Sequence, residues 1–290
     1  MIIDGHCHAW RRWPYDTGVP DPETRGSIEA LLYELDGHGI DHATVVCARI
    51  GGGAGGDGFA NADNNDYVTA FARRHPDRIT AWVDVDCSWR PEHHQAGAAQ
   101  RLREELERCG ARGFTHYVGP ENDGWLVTEE GREFFRTAAE LGVIASLAVG
   151  AAWFDDLAEI ARQNPSLPIL LHHLSMPRPI QPERDQDIAR LCALAEQANV
   201  GVKVSGYNYN SARSWDFPYP DGQRLFRRVL DAFGPTRLYW GSDFPASRDM
   251  LTYRQAIEVV RSGGAVTGAD LDLVLGQNLE RLLAQPVLTG

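Results

Sequence analysis

The residues of this chain best suited to chemistry stand near its two ends. Met1-Ile2-Ile3-Asp4-Gly5-His6-Cys7-His8 is an apolar run that breaks into two histidines one residue apart, and Arg237-Leu-Tyr-Trp-Gly-Ser-Asp243-Phe-Pro245 is a second apolar run that breaks into a carboxylate. In a strand successive side chains alternate faces, so His6 and His8 would point the same way. Two converging imidazoles can hold a divalent metal or position a reacting group. Other polar residues also end apolar runs: Asp84 and Asp86, His116, His172 and His173, Lys203 and Ser205. Burying such groups is costly unless they are paired or bind a metal, so their concentration at run ends marks function.

These residues need a scaffold that brings their strand ends together. After the first run, apolar stretches at 43–48, 79–86, 113–118, 143–149, 169–173, 200–205 and 238–243 alternate with helical patterns. Ser27 can cap the first helix, whose Ile28, Leu31, Leu32 and Leu35 follow a helical period. Eight strands alternating with helices predict a single (β/α)8 TIM barrel, because parallel strands need helical crossovers that cover the sheet. The length fits one domain over residues 1–290. A barrel that closes on itself would set the last strand beside the first, with functional side chains where strands end and loops begin.

Composition narrows the class of partner. Against 40 Asp+Glu stand 28 Lys+Arg, for a formal charge of -12 without a basic run, which argues against nucleic acid. A small-molecule substrate is expected, and local arginines could still admit an anionic one. No stretch of about 18 apolar residues suggests a membrane span. The five cysteines lack paired spacing, as reduced thiols do, so the chain reads as soluble and cytoplasmic, with homo-oligomerisation left open. The Gly51–Gly58 stretch lacks the Gly-Lys-Ser/Thr ending of a nucleotide loop and reads as a mobile surface loop. His93 and His94, at a helix entry, read as solvated, and Pro177, Pro179 and Pro182 as holding an extended loop open.

The N-terminal Ile-Ile-Asp-Gly-His-x-His, Pro76-Asp-Arg78, Leu170-Leu-His-His173-Leu-x-x-Pro177, Val202-Lys-Val-Ser-Gly206 and Trp240-Gly-Ser-Asp-Phe-Pro245 resemble the amidohydrolase superfamily nearly end to end. The nearest branch is the amidohydrolase-2 group of sugar lactonases, pyrone-dicarboxylate lactonase and metal-dependent decarboxylases. The resemblance implies that His6, His8 and Asp243 form the metal or active-site set, that His173 is the catalytic sixth-strand histidine, and that Asp243 takes a proton from the attacking water. Two features depart from the metal-rich members. The fifth strand reads Ala145-Ser-Leu-Ala-Val149 without a histidine, and no lysine ends the fourth or fifth strand to bridge two metals. At most one divalent ion, zinc by ligand type, is expected, and a metal-free enzyme is equally compatible.

His173 is expected in the barrel mouth and His172 packed against the helices, since neighbours on a strand face opposite ways. Lys203 reads either as a barrel-interior charge paired to a carboxylate or as a contact for a substrate anion. His116 and Arg248 are further substrate-binding candidates, with Arg11, Arg12, Tyr117 and Arg178 as weaker ones. The leading expectation is hydrolysis of a carboxylic ester, above all a lactone. The alternative is a metal-dependent nonoxidative decarboxylase of an aromatic or unsaturated acid, and a third reading is a non-catalytic barrel that binds a ligand or partner.

Overall fold

A computed structural model describes residues 1–175 and 183–285. Eight parallel strands follow one another in sequence order around a barrel. They are β1 (Ile3–Cys7), β2 (His42–Val46), β3 (Ile79–Asp84), β4 (Gly113–Tyr117), β5 (Ile144–Ala148), β6 (Ile169–Leu171), β7 (Val200–Val204) and β8 (Leu238–Trp240). Between them run α1 (Ile28–His38), α2 (Asn64–Arg74), α3 (Ala98–Cys109), α4 (Glu129–Glu140), α5 (Phe154–Gln163), α6 (Arg184–Ala193) and α7 (Pro220–Phe233). After β8 come α8 (Tyr253–Arg261), α9 (Gly268–Asp272) and, past a π-helical turn, α10 (Asn278–Leu283). The (β/α)8 expectation holds. The prolines at 177, 179 and 182 and Arg178 lie outside the described residues.

Side-chain alternation divides each strand between two cores. On β7, Val200, Val202 and Val204 face the helices, while Gly201 and Lys203 face the barrel axis. The helix-facing layer forms the large outer core, in which a fully buried side chain such as Phe134 or Leu102 stabilises the fold by roughly 1.5–3 kcal/mol. A smaller inner core of Ile3, Val46, Trp82, Ile144 and Leu170 fills the barrel floor, where Leu279 and Leu282 of α10 plug the N-terminal end. Above this floor the next inward layer holds Ser146, Lys203 and the histidines. Helix ends follow the sequence signals: the Ser27 side chain accepts from Ala30 N, and Thr252 with Gln255 forms a capping box on α8.

The seam between β1 and β8 is closed chiefly by side chains and loop backbone. The Asp4 carboxylate accepts from Ser242 N (2.9 Å), Ser242 Oγ (2.5 Å), Tyr253 Oη (2.8 Å) and His6 N (3.1 Å). His8 N donates to Phe244 O and Asp243 N to His6 O, so the chain past β8 is hydrogen-bonded to the end of β1. A register shift between Asp4 and Cys7 marks a bulge in β1. It lets both Ile3 and the His6/His8 pair face inward, which strict alternation from residue three would forbid. Gly241 lies so close to this bulge that a Cβ there would sit 2.6 Å from His6 Cβ.

The glycine stretch is anchored, contrary to the expectation of a mobile loop. Gly51 pairs with Ala54, Gly58 N donates to Pro14 O and Phe59 N to Trp13 O, tying it to the loop after β1. Those backbone groups find partners in the neighbouring loop instead of water, which holds the segment down.

Candidate active site

At the C-terminal mouth, Asp243 reaches the axis from a left-handed backbone (φ 58°) just past β8. Its Oδ1 lies 3.7 Å from His6 Nε2, 3.5 Å from His8 Nε2 and 3.8 Å from His173 Nε2, and the four residues are buried. Its Oδ2 accepts from Tyr209 Oη at 2.6 Å. Burial pushes the Asp243 carboxyl up, but His173, His8 and the Tyr209 hydroxyl outweigh it and hold the group below its ordinary value. The carboxylate is therefore ionised at neutral pH, with one oxygen bound by Tyr209 and the other facing three imidazoles.

Two of those imidazoles, His6 and His173, are kept neutral mainly by burial. It drives His6 well below its ordinary value, with Lys203 and the other histidines adding repulsion, and it takes His173 to about 4 despite the attraction of Asp243. His8 Nδ1, 2.7 Å from Val46 O, must donate there, so in the neutral ring Nε2 carries a lone pair. That Nε2 lies 3.3 Å from His6 Nε2. Beneath them Lys203 Nζ contacts His6 Nδ1 (3.1 Å) and Ser146 Oγ (2.7 Å), and Ser146 Oγ contacts His172 Nε2 (2.6 Å). When Lys203 donates to His6, the His6 proton sits on Nε2 and can pass to His8 as a hydrogen bond. When Lys203 accepts instead, both Nε2 lone pairs are free for a cation.

The residues present fit a single divalent ion. Two nitrogens bound to one tetrahedral centre at 2.0–2.1 Å stand about 3.3–3.4 Å apart, and the His6–His8 separation is 3.3 Å with Asp243 alongside. His173 Nδ1 contacts Ser205 Oγ (2.9 Å), which sets its ring orientation.

Several expected placements differ. His172 does not pack against the helices; its ring lies 4.4 Å from that of His6 inside the barrel, and a ring nitrogen from each of His6, His172 and His173 falls within one cluster. The reason is that β6 ends at Leu171 and the backbone turns left-handed at His173, Leu174 and Ser175, so strand alternation no longer separates the neighbours. His116 faces the opposite way from the mouth, against Phe134 and Trp125 in the outer layer, because Gly113 and Tyr117 take the inward positions of β4. Lys203 is fully buried under His6 with its amine 4.2 Å from the Trp82 ring, a place for positioning rather than for meeting a substrate anion, and burial lowers its pKa strongly. Arg248 is exposed and donates to the Arg25 carbonyl. Arg11 pairs with Asp63, and Arg12 pairs with Glu23 and covers Phe59. His93 and His94 are half-buried and stacked, not solvated.

Tyr209, Ser146 and the bridging role of His172 escaped the sequence reading. Tyr209 sits in an aromatic loop just past β7, and position in a βα loop was its only signal. Around the mouth, Trp10 stacks on His8 at 5.1 Å, and Trp10, Trp13 and Tyr15 meet edge to face.

Comparison with known proteins gives concordant results. The family described as "Amidohydrolase" matches residues 3–284. A protein named L-fucono-1,5-lactonase from Burkholderia ambifaria is 38% identical over 258 residues, covering 85% of this chain and 81% of its own. A solved structure described as a "probable 2-pyrone-4,6-dicarboxylic acid hydrolase" from Acinetobacter baumannii, with citric acid bound, superposes with a TM-score of 0.73 at 20% identity over 97% of this chain and 98% of its own. An amidohydrolase from Burkholderia multivorans with bound zinc gives 0.68 at 19% identity over 99% of this chain and 100% of its own. These two likenesses report the shared barrel.

Proposed function

The chain belongs to the amidohydrolase family and is a hydrolase, and from that premise we propose that it opens sugar lactones to their hydroxy acids, as one domain acting on a small molecule. The observation that carries this reading is Asp243 Oδ1, an ionised oxygen surrounded by three imidazoles at 3.5–3.8 Å. Tyr209 occupies the other carboxylate oxygen and so reserves Oδ1 for a proton. The relative named for lactone hydrolysis supports the substrate class.

In the reaction, Asp243 Oδ1 takes a proton from water as the water oxygen bonds to the lactone carbonyl carbon. The oxyanion that forms is met by N–H groups of His6 and His173, in a setting from which bulk water is largely excluded. The bond from that carbon to the ring oxygen then breaks, and the ring oxygen takes the proton from Asp243, giving a carboxylic acid and a free hydroxyl. Lys203 and Ser146 act below this layer by orienting His6 and His172. Tyr15, exposed beside the buried Trp10 and Trp13 and held edge to face by them, offers an apolar face for the sugar ring.

Where a divalent ion is used, zinc suits this nitrogen and carboxylate set, and His6, His8 and Asp243 would hold it. Bound there, it would polarise the carbonyl and acidify water. Among the described residues, the candidate arginines Arg11, Arg12 and Arg248 are engaged elsewhere, which favours an uncharged lactone over an anionic one. The five unpaired thiols support a cytoplasmic setting. Self-association plays no part in the reaction as proposed.

The test is a panel of aldonic acid lactones and unsaturated acids, followed by acid release and by CO2 evolution. Acid release from sugar lactones without CO2 is the expected result. CO2 from an aromatic or unsaturated acid would favour the decarboxylase, and turnover of nothing in either class would remove the proposal.

A further inference from the structure

On the opposite side of β4 from the candidate active site, three histidines converge: His93 and His94 in the loop after β3, and His116 on the outward face of β4. One ring nitrogen from each lies within 4.8 Å of the others. His94 and His116 meet Nε2 to Nε2 at 3.3 Å. What separates this contact from an ordinary hydrogen bond is the state of the other nitrogens. His116 Nδ1 is 3.1 Å from the Val85 carbonyl, His93 Nδ1 is 2.6 Å from the Asp86 carbonyl, and His94 Nδ1 is 2.6 Å from the Asp123 carboxylate. Carbonyls and ionised carboxylates only accept, so each Nδ1 must donate. A neutral imidazole has one N–H, and all three are now committed. The Nε2 atoms of His94 and His116 therefore face each other as two lone pairs, where at His6 and His8 a proton can lie between them.

Such a contact is repulsive unless a positive charge lies between the nitrogens. A metal ion meets the requirement, because 3.3 Å is the separation expected for two nitrogens on one tetrahedral centre. The surroundings match those of a metal-binding histidine, whose second nitrogen donates to a carboxylate or backbone carbonyl. Asp123 is half-exposed and leaves a route from solvent, while Trp125 stacks on His94 (4.1 Å, 5° between planes) and fixes that ring.

We infer that His93, His94 and His116, with Asp123 supporting His94, form a second site for a borderline divalent cation such as zinc, separate from the Asp243 cluster. With His94 and His116 as nitrogen ligands, His93 stacked beside them and water completing the shell, the ion would fasten the loop after β3 to β4. It would serve structure and take no part in lactone chemistry.

The probe is zinc alone. Native protein, His94→Ala and Asp123→Asn are stripped with chelator, equilibrated with zinc, and compared by equilibrium dialysis with elemental analysis and by thermal melting. The native chain should bind one equivalent more than His94→Ala, whether or not the Asp243 cluster also takes an ion. Asp123→Asn, which alters only a half-exposed carboxylate, should keep the site but weaken it about 10–100-fold. Zinc should raise the melting temperature of the native chain more than that of His94→Ala. Equal stoichiometry in native and His94→Ala protein would overturn the inference, as would an Asp123→Asn affinity equal to native if His94→Ala does not fold.

Discussion

Replacing Asp243 with asparagine separates the chemistry from the scaffold more cleanly than any other single change. The amide is nearly isosteric, and its carbonyl can still accept from Tyr209, so the ring of imidazoles at 3.5–3.8 Å keeps its shape. What disappears is the ionised oxygen that takes the water proton. Loss of a positioned base costs about 10²–10⁴ in rate, or roughly 2.7–5.4 kcal/mol of barrier. Stability should change by no more than about 1–2 kcal/mol, because one charge-assisted hydrogen bond becomes a neutral one. The native carboxyl is held below its ordinary value, so its ionised form contributes stability that is present above the unfolded pKa and lost as pH falls through the folded one. The asparagine variant should lose that pH dependence together with its rate. Lactone turnover read by pH indicator, alongside a circular-dichroism melt, gives both quantities. A variant that melts like the native chain and turns over within an order of magnitude of it would remove Asp243 from the mechanism.

Gly241→Ala would place a methyl 2.6 Å from His6 Cβ, an overpacking worth about 1–3 kcal/mol that should also displace His6; urea unfolding and turnover unchanged together would contradict the seam geometry. At the same seam, Tyr253→Phe should cost about 1 kcal/mol by denaturant titration, and Asp4→Ala about 3–5 kcal/mol, because Ser242 N, Ser242 Oγ, Tyr253 Oη and His6 N all lose their acceptor. Burial lowers the pKa of His42, so the unfolded chain takes up that proton first and the associated stability, complete above about pH 6.5, drains away on acidification. His42→Gln should make the loss below pH 6.5 shallower, by at most about 1.4 kcal/mol per pH unit, and an unchanged slope would refute the assignment.

How far the sequence reaches can be seen strand by strand. His6, His8 and Asp243 were legible because two short-range patterns and a closed barrel suffice to bring them together. The bulge in β1 was not, since one extra residue leaves no trace in an apolar run, and only Gly5 and Gly241 hint at the close approach. His172 was misplaced because the strand pattern was extended two residues past Leu171, into left-handed backbone where alternation fails. His116 was assigned to the mouth by its nearness to a strand end, although Phe114, two residues earlier, belongs to the outer core and fixes the same outward face. Tyr209 and Ser146 depend on contacts between distant segments, which no local spacing encodes.

The clasp of Asp4 with Ser242 joins positions 238 apart. A ribosome-bound chain stopped short of that point would carry every imidazole of the pocket and yet lack both its base and the latch that shapes the first strand. Truncated products should therefore be inert rather than partly active. Synthesis must pass Asp243 before this closure of high contact order can begin, which makes the joining of β8 to β1 a natural slow step in maturation.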